Sequence, residues 1–418
     1  MIRSRISSPK IFGKLGNSEN LGRLRGVIAY SMGPVLGLLS GPILARSLGP
    51  DGRGQFAAIM QPISVASAVA SVGIPTAVTY FIAKKFDRKR TLKLGLLLCA
   101  PISTITYLVM AWYATVVSAN QGVNLVLLWF TWSAVIASAF VQILRAYWQG
   151  VGNWRKLDWE RGLFAVLRFV AVCGVAIAGI TVAGPYAIAS LTAFVIAAAL
   201  LYVPRRSLTK EVEVSPSVRA VWKYSASASI GTVAVVASSR LDQVVLPAAT
   251  TSVELGYYAV AVTVAEVPVV FGTLAARNLL QTSASGKSLR ESFLDVRLYL
   301  VAGVLSCGAA ALLSPSIVPL VFGEDFRESV LSVQILAISS VYTILTVSAI
   351  SLIAGKGHPL VSSLIPLTGA VLTAVLFWWE WEEMSSIVAA KISLISQLGT
   401  LFVATIAICW IWKKRANQ

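Results

Sequence analysis

The chain is 418 residues long, with 56% hydrophobic and 13% charged residues and a net charge of +17. Soluble domains carry about 25% charged residues, so this composition excludes a soluble globular protein and points to many membrane passes. The basic balance does not indicate nucleic acid, because the Lys and Arg residues sit in short segments between apolar runs, where membrane topology puts them.

Residues 1–25 are polar and basic, and the first long apolar run begins near Val27. That run is too long for a signal-peptide core and meets no cleavage-like site. The first helix is therefore expected to stay in the mature protein as its own targeting signal. Apolar runs of about 20 residues, enough to cross about 30 Å of hydrocarbon, recur to the end of the chain. They fall at 26–45, 55–82, 94–118, 123–146, 160–181, 185–204, 223–247, 255–276, 298–321, 329–354, 358–379 and 386–411. The expected fold is all-α: a polytopic membrane protein of about twelve transmembrane helices. With the N-terminus inside, the cytoplasmic segments hold 29 of the 35 Lys and Arg residues, and the outer loops hold four. Arg168 and Arg240 fall within spans. Both termini are therefore expected in the cytoplasm, and the protein in the cytoplasmic membrane. Trp148, Trp154, Trp159, Trp222, Trp410 and Trp412 are expected at the inner interface. Trp378, Trp379, Trp381, Tyr257 and Tyr258 are expected at the outer one.

Two short patterns recur about two hundred residues apart. LARSLGPDGRGQFAAI at 44–59 is echoed by LPAATTSVELGYYAVA at 246–261, placing Gly54 over Gly256 and Ala57 over Ala259. AYWQGVGN at 146–153 is echoed by LIAGKGHP at 352–359, placing Gly150 over Gly355 and Gly152 over Gly357. The expected organisation is a basic segment at 1–25, a six-helix bundle at 26–204, a linker at 205–222, a second six-helix bundle at 223–411 and a tail at 412–418. An even number of spans per half relates the bundles by a pseudo-twofold axis along the membrane normal, with a cavity between them. Prolines inside spans remove helix hydrogen bonds. Pro34, Pro42 and Pro247 are the hinge candidates.

No catalytic constellation is present: there is no GxSxG, no Walker loop and no acidic pair beside a histidine. One histidine, His358, and four cysteines without CxxC spacing, all within apolar runs, give no metal site or disulfide framework. A transporter is expected rather than an enzyme, with no cofactor beyond a proton or Na⁺ as coupling ion. Function should therefore rest on charges at membrane depth, which are costly and face a bundle interior or a wet cavity. Arg240 and Asp242, two residues apart in one span, lie about 200° apart on a continuous helix and cannot share a face. Glu266 lies at the depth of Arg240 across the turn near Thr250, either as its ion-pair partner or as a coupling acid. Arg46 and Arg53 break the pattern of outer loops nearly free of cations; Arg46 can snorkel to headgroups or hold a phosphate by its planar fork. Arg168 in the fifth span is a weaker anion-site candidate, and Arg145 is explained by topology.

Several segments resemble the polysaccharide flippases of the multidrug/oligosaccharidyl-lipid/polysaccharide exporter superfamily. They are ARSLGPDGRGQFAAI, SVGIPTAVTYFIAKK, RLDQVVLPAATTSVELGYYAVAVTVAE and PLVFGEDFRESVLSVQILAISSV, in family order and over nearly the whole chain. By position Arg46 matches the arginine of that family's LARxLGxxxxG pattern, and Arg240 and Asp242 match the polar spot of its seventh helix. The resemblance implies a flippase for a polyprenyl-pyrophosphate-linked oligosaccharide, working by alternating access for surface polysaccharide synthesis. Arg46, Arg53, Arg168 and Arg240 would then receive the pyrophosphate. Its partners would be the lipid-linked oligosaccharide, membrane lipids, and a polymerase or assembly proteins. The alternatives are a cation-coupled multidrug exporter of the same superfamily, which would place acids in its cavity, and a non-transporting scaffold of polysaccharide assembly.

Overall fold

The computed structural model describes residues 17–204, 207, 214–285 and 289–416. Residues 1–16 of the expected basic segment, most of 205–213 in the linker and residues 417 and 418 of the tail lie outside them.

Every regular element among the described residues is helical. This follows from the composition, since in hydrocarbon each backbone N–H and C=O needs an internal partner. α1 (Asn17–Ser71) is broken at one point, Gly49, whose φ of 65° and ψ of −178° are open to glycine and strained for any other residue. Pro50 then starts a new helical rod, its missing N–H costing nothing at a helix start. Turn chemistry thus compresses the expected nine-residue loop at 46–54 into a single residue. α2 (Ile74–Ala83) follows at a 52° bend, set by left-handed Gly73 and by Pro75 in its first turn. Next come α3 (Arg88–Gln121), α4 (Leu125–Trp132), α5 (Ala134–Val151), α6 (Trp154–Ile177) and α7 (Ala183–Ala198). The side chains of Asp87, Asn124 and Asn153 cap α3, α4 and α6 by accepting from first-turn N–H groups.

The second half opens with α8 (Val218–Arg240), capped by Ser217, and α9 (Asp242–Ala249), which is bent 48° from α8 at Leu241. It continues through α10 (Ser252–Ala284), α11 (Leu289–Phe322), α12 (Ser329–Gly355), α13 (Pro359–Trp379) and α14 (Ser386–Ala416). Length and apolarity alone single out eight spans, or ten with each bent pair taken as one. Dividing α1 at Gly49 and adding α6, whose apolar face is interrupted by Asp158, Glu160 and three arginines, brings the count to the expected twelve. Pro34 and Pro42 sit where α1 stays helical, so the strong bends fall at Gly73 and Leu241 rather than at those prolines.

The two repeats pack in matching ways. Gly150 of α5 is pressed onto Ile82 and the Thr79 carbonyl, and Gly355 of α12 onto Ser283 and the Leu280 carbonyl. Gly152 and Gly357 both adopt left-handed backbone, at φ 80° and 90°. Gly54 and Gly256 meet each other. A Cβ on Gly54 would lie 2.9 Å from the Gly256 nitrogen and would overlap the Ser252 carbonyl, while a Cβ on Gly256 would overlap the Pro50 carbonyl. Each copy of the motif thus contacts the other, the signature of a two-fold relation.

This seam closes the end of the molecule that holds Gly49. The Ser252 hydroxyl donates to Asp51, Asn120 donates to the Ala248 carbonyl, and the Gln121 amide donates to the carbonyls of Pro247 (2.9 Å) and Thr250 (2.7 Å). At the opposite end the halves meet where Gly73 and α2 cross α8. There the Tyr80 and Tyr224 rings stack at 4.5 Å, with Phe81 edge-on to both. Trp154, Trp159, Trp222, Trp378 and Trp379 are exposed, as interface residues require. Two expected belt residues are instead buried. Trp148 donates its ring N–H to the Leu201 carbonyl with Lys156 over its face, and Tyr258 is turned inward.

Candidate substrate cavity

Between the two halves lies a cavity with a lobe of 620 Å³ toward the second half and a lobe of 490 Å³ toward the first. Arg53, Arg168, Arg240 and Glu266 border both lobes, which adjoin at these side chains. A smaller recess of 260 Å³ continues past Arg145 and Arg161 toward the Gly73 end. Each main lobe falls within the range of about 300–1,000 Å³ typical of ligand sites.

The wall from the first half is cationic. Arg53 lies one turn past Gly49, because the break there starts a fresh helix whose inward face carries Arg53 and Phe56. Its guanidinium lies 5.8 Å from the Phe56 ring centre, and the residue is 8% exposed. Arg168 reaches the same space from the middle of α6. The Nε atoms of both arginines are buried and have no hydrogen-bond partner. Among the described residues no carboxylate lies within ion-pair distance of either. A buried cation without a partner costs several kcal/mol, and the planar, forked donors of arginine fit a phosphate oxygen pair. Arg145 also borders the cavity but is engaged: its Nε and Nη2 bind both oxygens of Glu160, at 3.1 and 2.6 Å, and Glu160 is fully buried.

On the second half one ion pair and one hydrogen bond engage the acids. Arg240 Nη1 meets Glu266 Oε1 at 2.5 Å, one of the two roles read for Glu266 from the sequence. The Tyr258 hydroxyl donates to Asp242 Oδ2 at 2.7 Å. Arg240 and Asp242 take separate partners, Glu266 and Tyr258, as residues about 200° apart on a helix must. The chain bends by 48° at Leu241, which keeps helical backbone, and both residues border the 620 Å³ lobe. Sequence reasoning placed Tyr258 at the outer interface and missed this contact; the signal for it is that residues 242 and 258 stand eight positions either side of Thr250.

The structure brings together Arg53, Arg168, Arg240, Asp242 and Glu266. It does not bring Arg46 to them. The Arg46 guanidinium is exposed and donates to the backbone carbonyls of Val321, at 3.0 Å, and Leu320 at the end of α11. Those carbonyls lack helix partners, and Arg46 satisfies them. Of the hinge candidates, Pro34 borders the larger lobe, and Pro247 is pinned by Gln121. Sequence reasoning missed Glu160, which reads as an ordinary loop acid, and missed the hydroxyl-bearing residues Ser339, Thr343 and Ser393 that border the larger lobe.

A family model described as polysaccharide biosynthesis protein matches residues 24–278. No curated protein sequence matches. Among solved structures, the chain is similar to lipid II flippase MurJ in an inward closed conformation. The TM-score is 0.71 at 13% identity, covering 92% of this chain and 87% of that one. It is also similar to an inward-facing multidrug resistance MATE family transporter of the MOP superfamily, with a TM-score of 0.68 at 14% identity, covering 93% and 99%. A MOP superfamily transporter from Pyrococcus furiosus, noted for reversed polarity of its binding pocket, gives a TM-score of 0.51 at 13% identity over 93% of each chain.

Proposed function

This chain belongs to the polysaccharide biosynthesis protein family, and from that premise we propose that it is a flippase moving a polyprenyl-pyrophosphate-linked oligosaccharide across the cytoplasmic membrane. The observation that carries this reading is the pair of arginines, Arg53 and Arg168, held in the cavity between the halves without a carboxylate partner. A pyrophosphate would neutralise both and supply their missing acceptors. The fold shared with a lipid II flippase agrees with such a cargo. A multidrug exporter taking cations is the weaker reading. Glu266 is paired with Arg240 and Asp242 is held by the Tyr258 hydroxyl, so against Arg53 and Arg168 the cavity charge stays positive in sum.

The sealed Gly49 end, read as the outer face from the Lys and Arg distribution, makes this a state closed to the outside. Alternating access then consists of parting the Gly54–Gly256 seam at one end and the Gly73–α8 contact at the other, in turn. The lipid tail stays in the bilayer while the headgroup crosses inside. We assign any coupling to a proton or Na⁺ to Asp242 and Glu266. Arg53→Ala with Arg168→Ala should abolish surface polysaccharide at unchanged protein level. Wild-type output from that double variant would reject the site.

A further inference from the structure

Opposite the cationic wall, the larger lobe is faced by two helices of the second half, α12 and α14, which pack against each other. Each presents a polar pair at i, i+4: Ser339 and Thr343 on α12, Ser393 and Gln397 on α14. Residues so spaced share one helix face, so four uncharged polar side chains converge on one side of the cavity. The Ser339 and Ser393 hydroxyls touch across the helix interface at 3.3 Å, which fixes the register of the two pairs. Thr343 donates back to the Ser339 carbonyl at 3.1 Å, leaving its oxygen lone pairs available. The Gln397 amide has no hydrogen bond to the protein among the described residues.

This wall suits neither of the cavity's other customary ligands. A lipid tail wants an apolar lining, and a cation wants a carboxylate. Here the cavity acids lie on α9 and α10, already bonded, and α12 and α14 bring none to the lobe. Hydroxyls and an amide, offering donors and acceptors without charge, match a neutral polyol. Resting on the flippase reading, we propose that Ser339, Thr343, Ser393 and Gln397 form a glycan subsite that holds the sugar end of the substrate across the cavity from the arginines. The substrate then lies across the pseudo-twofold axis, with its pyrophosphate on the first half and its sugar on the second. Both halves engage one molecule, and the sugar contributes to recognition apart from the phosphates.

The test uses the purified full chain in lipid nanodiscs and two probes, farnesyl pyrophosphate and the same lipid carrying one N-acetylglucosamine on the pyrophosphate. Wild type should bind both, the glycosylated probe more tightly. Gln397→Leu together with Thr343→Val should weaken the glycosylated probe by about tenfold, the loss expected from two ordinary hydrogen bonds. Farnesyl pyrophosphate binding should be unchanged, which also shows that the variant is folded. Gln397→Leu alone, a change at a side chain with no protein partner to lose, should give part of the effect. The subsite is overturned if the sugar adds nothing to wild-type affinity, or if the variants weaken both probes equally. The flippase reading itself falls if wild type binds neither probe, or if Arg53→Ala with Arg168→Ala leaves farnesyl pyrophosphate binding intact.

Discussion

Gly54→Ala should push the protein toward a state open at the Gly49 end. The added methyl would overlap the Ser252 carbonyl, and its neighbours there are backbone atoms of the opposite half, which no rotamer change can move aside. Overpacking of this kind costs about 1–3 kcal/mol. The clash exists only while the halves are closed at that end, so the cost falls on one conformation and shifts the equilibrium by about 5–150-fold. Ser239 borders the 620 Å³ lobe and is exposed to it. With the four native cysteines replaced, Ser239→Cys reports access to the cavity. An impermeant maleimide added on the Gly49 side should label it faster by that factor in the Gly54→Ala background. Gly256→Ala should act likewise, because its methyl would meet the Pro50 carbonyl. An unchanged labelling rate in a folded Gly54→Ala protein would refute the glycine seam as the closing contact.

Glu160→Gln removes the carboxylate from a bidentate pair and leaves Arg145 facing a fully buried neutral amide. Breaking one side of a buried pair costs about 3–5 kcal/mol, so thermal unfolding in detergent should drop clearly, and Arg145→Met should recover part of the loss. Arg46→Ala removes exposed bonds to two helix-end carbonyls. It should lower stability by about 1 kcal/mol or less while keeping polysaccharide output, unlike the cavity arginines.

The helices were legible because hydrocarbon imposes one pattern on every span, a run of apolar residues with charges pushed to its ends. The pairing of Arg240 with Glu266 was one of two readings open in the sequence, since both are charges at membrane depth on neighbouring spans. Three things were hidden for identifiable reasons. The 48° bend at Leu241 carries no Gly or Pro, so nothing in the sequence marked it. Arg46 and Arg53 stand seven residues apart in what reads as one loop. Only the backbone of Gly49 decides that one caps α11 and the other enters the cavity. The partner of Arg145 was hidden because Glu160 lies in a charged stretch with ordinary topological explanations, while its full burial is a property of packing.

The central claim is that unpaired arginines between two halves receive a lipid-linked pyrophosphate and carry it across. Its most direct test is flipping of a fluorescent lipid-linked sugar in proteoliposomes that contain only this protein. Wild type should translocate the lipid, and the folded Arg53→Ala/Arg168→Ala protein should not. Translocation by the double variant at the wild-type rate, or none by wild type, would contradict it.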